Sequence, residues 1–216
     1  MAKKLVLNGL EIYLLPQKVA YIPKHEMVVV SDWHIGKLGH FRKEGLFVPP
    51  MQLEEEFARL SILIRDLKLS HVVFLGDLFH SVWNYEWDQF QLFLLHFPNI
   101  KFTLTLGNHD ILPEAILQKS IIHVKDYILL SEGIVLSHEP IKNLDEGLYN
   151  VVGHIHPGCE VVLRGRQYYK LPCFHLEGGV LTLPAFGRWT GLYMIPKRQG
   201  NRIFAVVGDA VVEMKG

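Results

Sequence analysis

The chain sets acids, amides and imidazoles where its apolar runs stop. Residues 28–34 read VVVSDWH, and in an extended segment Asp32 and His34 face one object while Trp33 points away. The scheme recurs at Asp77 and His80 in GDLFH, at Asn108, His109 and Asp110 in GNHD, at His138 in LSHEP, and at His154 and His156 in GHIHP. Singly, each has an ordinary explanation, since Asp and Asn favour turns and a lone histidine usually packs in a core. Jointly that explanation fails, because several polar groups buried without partners would each cost on the order of 2–7 kcal/mol. Divalent cations remove the cost. Mixed imidazole, carboxylate and amide donors suit Mn, Fe, Zn or Ni, and the donors are too many for one ion, which points to two ions sharing a carboxylate. Cys159 and Cys173 form no CxxC pair, so a cysteine-rich structural zinc is excluded.

The elements that must position these residues follow from the hydrophobic pattern. MVVVSD, HVVFLGD and KFTLTLGNHD read as buried strands, preceded by the strand-like pieces KLVLNGLEIYLL and VAYI. Between them, Leu53, Phe57, Leu60, Ile64 and Leu67 recur at helical spacing, with Pro49 and Pro50 at the start and Glu54, Glu55 and Glu56 in the first turn. A second helical stripe runs through Trp87, Phe90, Leu94 and Phe97, with Asn84 as its cap, and a short helical piece is expected near PEAILQK. Alternating strands and helices predict right-handed crossovers, parallel strands and polar residues gathered beyond their carboxyl ends. The brief β runs from IIHVKDYILL onward predict a second, largely antiparallel sheet.

Composition limits the alternatives. At 216 residues with 49% hydrophobic content, one globular domain spanning 1–216 is expected. The 22 basic and 22 acidic residues cancel, so no global field draws the chain to a polyanion. The N-terminus does not read as a signal peptide and no apolar stretch approaches membrane-spanning length, so no membrane association and a cytoplasmic location are expected.

The ordered series D-x-H at 32–34, G-D-x-x-H at 76–80, G-N-H-D at 107–110, His138 and G-H-x-H at 153–156 resembles the calcineurin-like metallophosphoesterases. GDLFHS is similar to their SbcD-type nuclease branch. GKLGHFRKEG, GNHDILP, SHEP, GHIHPG, LPCF, LPAFG and FAVVGDAVVE are similar to the bacterial PdeM family, called ligase-associated DNA damage response phosphoesterases or endonucleases. The resemblance implies an α/β fold, the four-layer α-β-β-α metallophosphoesterase sandwich of two facing mixed β-sheets flanked by helices. It also implies that Asp32, His34 and His156 hold one ion, that Asn108, His138 and His154 hold the other, and that Asp77 bridges them. His109 would be the catalytic histidine, with Asp110 orienting it and His80 nearby.

Two such ions, about 3.5–4 Å apart, activate a water for attack on phosphorus. Manganese is expected, with Fe, Zn, Ni or Mg as alternatives. The leading reading is a DNA nuclease or phosphodiesterase of repair, acting on single strands or ends, with a ligase, helicase or exonuclease as partners by resemblance. A phosphodiesterase for cyclic nucleotides or another small diester is the alternative, and a catalytically silent scaffold a third. Lys37, His40, Arg42, Lys43 and Arg188 are candidate substrate contacts, Phe186 and Trp189 a candidate cleft wall, and RGRQYYK at 164–170 a basic and aromatic group that could hold nucleic acid. His25, His71, His96, His123 and His175 read as structural.

Overall fold

The computed structural model describes residues 1–37, 45, 52–80, 85–110, 120–163 and 167–214. Its first sheet has the order β1-β2-β3-β4-β5-β6-β7. The strands are β1 (Lys3–Leu7), β2 (Leu10–Leu15), β3 (Val19–Ile22), β4 (Met27–Ser31), β5 (His71–Leu75), β6 (Lys101–Thr105) and β7 (Ile122–Lys125). KLVLNGLEIYLL is a hairpin, turning at Asn8 and Gly9 with φ of 47° and 77°, as a two-residue Asn-Gly turn requires. Strands β4 to β7 run parallel as predicted, whereas β1 to β4 pair antiparallel. Connections of a few residues permit only that arrangement.

Helices α1 (Gln52–Asp66) and α2 (Tyr85–Leu95) pack on one face of this sheet. Alternation along β4 and β5 explains the layering. Val28, Val30, Val72 and Phe74 join Leu60, Leu63, Ile64, Phe90 and Leu94 in the core beneath the helices. Met27, Val29, Val73 and Leu75 face the other way, into a second core shared with the second sheet. Pro49, Pro50, Asn84 and the PEAILQK piece lie outside the described residues.

The second sheet contains β8 (Ile128–Leu129), β9 (Ile134–Leu136), β10 (Tyr149–Val152), β11 (Pro157–Leu163), β12 (Gln167–Glu177), β13 (Val180–Thr182), β14 (Tyr193–Met194), β15 (Arg202–Val207) and β16 (Ala210–Glu213). Two details differ from the sequence reading. IIHVKDYILL is split, its first part closing the first sheet as β7 and its second part opening the second as β8. The second sheet is mixed, with β9, β10 and β13 mutually parallel at its centre. Hydropathy records that a run is buried but not its direction, and the long excursions between these three strands allow a parallel return. The result is the sandwich of two facing mixed sheets, with the two described α-helices on the outer face of the first.

Candidate metal centre

All five turns that carry the expected ligands leave the carboxyl ends of parallel strands. Register sets Ser31 beside Leu75 and Leu75 beside Thr105 in the first sheet, and Val151 beside Leu136 in the second, so the turns emerge nearly level. Backbone hydrogen bonds join them: Asp32 N donates to Gly76 O at 3.3 Å, His34 N to Asp77 O at 2.9 Å, and Gly153 N to His138 O at 3.0 Å. Glycines permit this approach. A Cβ on Gly107 would stand 2.3 Å from Asp77 N, and one on Gly153 would stand 1.7 Å from Ser31 Oγ.

Five of the seven expected ligands have left-handed backbones: Asp32 (φ 51°), His34 (55°), Asp77 (48°), His154 (71°) and His156 (49°). For a residue carrying a Cβ that conformation is costly, on the order of 1–3 kcal/mol, and it concentrates at functional sites.

The side chains gather in two groups. Donor atoms of Asp32, His34 and His156 all lie within 4.8 Å of one another, as do those of Asp77, His138 and His154. In the first, His34 Nε2 is 3.1 Å from His156 Nε2, which is 3.3 Å from Asp32 Oδ1. In the second, His138 Nε2 is 3.1 Å from His154 Nδ1 and 3.6 Å from Asp77 Oδ1. The other oxygen of Asp77, Oδ2, lies 4.0 Å from His34 Nε2, so its carboxylate faces both groups.

Electrostatics fits this donor set to cations. His138 Nδ1 donates to Leu75 O at 2.9 Å, so a neutral ring presents an unprotonated Nε2 to the second group. Burial, reinforced by His156, pushes His34 down to about 3 and keeps it neutral, as a metal ligand must be. Burial alone would raise the Asp32 carboxyl, but the hydrogen bond and charge of His156, with Ser31, outweigh it and hold the group below its ordinary value. Asp32 also accepts from His154 N at 2.9 Å.

The remaining predicted residues fall into three classes. Asn108 lines a cavity with His138, and its Nδ2 donates to Glu139 Oε1 at 3.0 Å. Glu139 is a residue the sequence reading missed, although it directly follows His138, and its Oε1 also stands 3.8 Å from His154 Nδ1. His109 and His80 flank His34, their ring centroids 5.5 and 5.7 Å from it and 5.4 Å from each other. Asp110 acts on the backbone: its oxygens accept from Phe79 N at 3.1 Å and Gly107 N at 2.9 Å, clamping the GNHD turn to the GDLFH turn. Any orientation of His109 by Asp110 therefore runs through the turn. Burial raises Asp110 to about 6.

Lys37 shares a small cleft with Trp33, His34, Arg188 and Trp189. The Arg188 guanidinium pairs with Glu55 of α1. His40, Arg42 and Lys43 lie outside the described residues, as do positions 164–166 of RGRQYYK. Tyr168 and Tyr169 are exposed on β12, where Tyr169 bonds its own strand neighbour Gln167 at 3.1 Å. Three histidines read as structural have structural partners: His25 with Glu132, His71 with Thr103 and His96 with the Leu92 carbonyl.

Comparison with known proteins agrees with this geometry. The family model described as calcineurin-like phosphoesterase matches residues 26–190. Among solved structures, the chain is similar to the nuclease MPE of Pseudomonas putida, with 29% identity and a TM-score of 0.80 over 99% of this chain and 100% of that one. It is more distantly similar to Yfce, a phosphoesterase from E. coli, with 14% identity and a TM-score of 0.44 over 87% of this chain and 97% of that one. No curated protein sequence matches the chain. Because the matched segment encloses every residue of both donor groups, the chain belongs to the calcineurin-like phosphoesterase family and is a metal-dependent phosphoesterase.

Proposed function

We propose that this chain, as one catalytic domain, hydrolyses phosphodiester bonds in DNA with two divalent ions, manganese by preference. The observation that carries the reading is Asp77, whose two carboxylate oxygens face separate histidine-rich groups. Asp32, His34 and His156 would hold one ion, and His138, His154 and Asn108 the other. When bound, such a pair supplies a water acidified toward neutral pH and neutralises the phosphate oxygens. His109, exposed beside His34, donates a proton to the leaving oxygen. His80 lies alongside it and contacts the phosphate or the leaving group.

Similarity across the full length to a protein described as a nuclease supports nucleic acid as the substrate. A formal charge of zero favours single strands or ends over a long duplex, because duplex affinity comes chiefly from phosphate neutralisation. Lys37 and Arg188 border the first group and would take flanking phosphates. The PdeM-like motifs extend the proposal to end repair in the cytoplasm beside a ligase, helicase or exonuclease. No helix among the described residues is long and apolar enough to cross a membrane.

A second reading has its own observation. A cavity of about 440 Å³ beside Asn108 and His138 is lined by Tyr127, Asp126 and Glu139 and has the size and chemistry for one nucleoside. Cleavage of single-stranded DNA, duplex DNA, cyclic nucleotides and a chromogenic diester, each with and without Mn²⁺, separates the readings. Activity confined to the small esters would remove the nuclease reading. An Asp77→Ala protein that still cleaves at the wild-type rate would remove both.

A further inference from the structure

Three charged residues that touch no expected ligand hold the loop at 186–188. This loop lies against the first ligand-bearing turn: Phe186 N donates to Ser31 O at 2.7 Å, and Gly187 N to Asp32 O at 3.3 Å. The approach is so close that a Cβ on Gly187 would stand 2.3 Å from Trp33 O. Three further backbone groups of the loop are met from outside. Arg59 Nη2 donates to Phe186 O at 2.6 Å, with its guanidinium 3.7 Å from the centre of the Phe186 ring. Lys18 Nζ donates to Gly187 O at 3.0 Å, and Glu56 Oε1 accepts from Arg188 N at 3.0 Å. Glu56 Oε2 accepts from the indole N–H of Trp33 at 2.7 Å, and Trp33 sits between Asp32 and His34 with its ring 4.7 Å from that of Phe186.

The cluster is maintained at a cost. Burial, with the charge of Arg59, pulls Lys18 down to about 7, while burial pulls Arg59 down to about 10 and raises Glu56. Well-packed apolar residues are often no less stabilising than buried charges, so stability alone does not explain them. What the charges do supply is a partner for the loop carbonyls, for the Arg188 N–H and for the indole N–H, all around a turn with φ of 51° at Asp32 and 55° at His34. The second group is braced differently, through Leu75 O on His138 and through the Asp110 clamp.

We infer that Lys18, Glu56 and Arg59 are positioning residues that hold the Asp32–His34 turn in its left-handed form and so set cation affinity at the first group far more than at the second. The inference rests on the two-ion reading above. Its test is calorimetric titration of Mn²⁺ into metal-free protein. Glu56→Gln leaves one acceptor oxygen for two N–H donors. In a His138→Ala background, which isolates the first group, Glu56→Gln should weaken Mn²⁺ binding about ten- to a hundredfold. In a His156→Ala background, which isolates the second, the loss should be several-fold smaller, because the braced turn reaches that group through hydrogen bonds of backbone N–H groups. Lys18→Met, which removes the Gly187 hydrogen bond and one charge of the cluster, should give a smaller loss, again mainly at the first group.

Circular dichroism and the urea midpoint establish that each variant is folded. Equal losses at both groups, or an unchanged first group in a folded variant, would overturn the inference; if Glu56→Gln does not fold, Lys18→Met decides by the same criterion. Wild-type protein that takes up a single Mn²⁺ would instead count against the two-ion reading, leaving the first-group comparison intact.

Discussion

His109 and Asp77 touch, yet they carry different loads. The contact is made by the backbone N–H of His109, which donates to Asp77 Oδ1 at 2.8 Å and which alanine would retain. His109→Ala should therefore keep its bound metal and lose about 10² to 10⁴ in kcat, the range for removing a general acid; metal analysis beside steady-state kinetics checks both halves. Asp77→Ala should lose metal and activity together. Asp110 differs again, because its carboxylate satisfies two backbone N–H groups. Asp110→Ala should destabilise the fold by about 1–3 kcal/mol for each donor left unsatisfied, read from urea unfolding. The motifs in the sequence single out all three residues, but only the bonded atoms show that Asp110 braces two turns while Asp77 turns its oxygens toward two donor groups.

At the scale of the elements, the glycines of GD, GN and GH mark places where one strand end presses on another. Gly153 lies against Ser31 and Asp32 across the two sheets, and a Cβ there would stand 2.4 Å from Asp32 Oδ2. Gly153→Ala should displace Asp32, cost about 1–3 kcal/mol as an overpacked core does, and weaken Mn²⁺ at the first group. Chemical denaturation and metal titration measure the two effects. Both helices were legible in the sequence because a stripe at helical spacing has one structural solution: Leu53, Leu60, Ile64, Trp87, Phe90 and Leu94 all reach the core beneath them. Strand direction in the second sheet was not legible. Ile134–Leu136 is apolar throughout and Tyr149–Val152 is apolar except for the buried Asn150, and burial on both faces looks the same in either direction.

Across the whole molecule, the two sheets share one core and bring their parallel carboxyl ends to one rim, so that segments far apart in sequence complete a single centre. Lys18 extends this coupling to the turn between β2 and β3, since its amine reaches Gly187. Its value of about 7, against the ordinary 10.5, arises mainly from burial and then from Arg59. A depressed lysine costs stability below about pH 7, and the cost is relieved as pH rises toward 10.5, where the unfolded chain holds the proton and the folded chain does not. Wild-type stability should therefore gain on Lys18→Met between pH 7 and 10, by up to about 1.4 kcal/mol per pH unit, in urea denaturation of metal-free protein. The sequence by itself determined which acids, amides and imidazoles stand at the strand ends, because the spacing of each motif is local and an apolar run that stops at such residues is visible without a fold. Tertiary structure alone decided that Asp77 faces both groups, that Glu139 joins Asn108 and His154, and that Lys18, Glu56 and Arg59 brace the first turn. Those contacts join segments separated by many residues, and nothing local in a lysine, a glutamate or an arginine records which distant carbonyl or N–H it will meet.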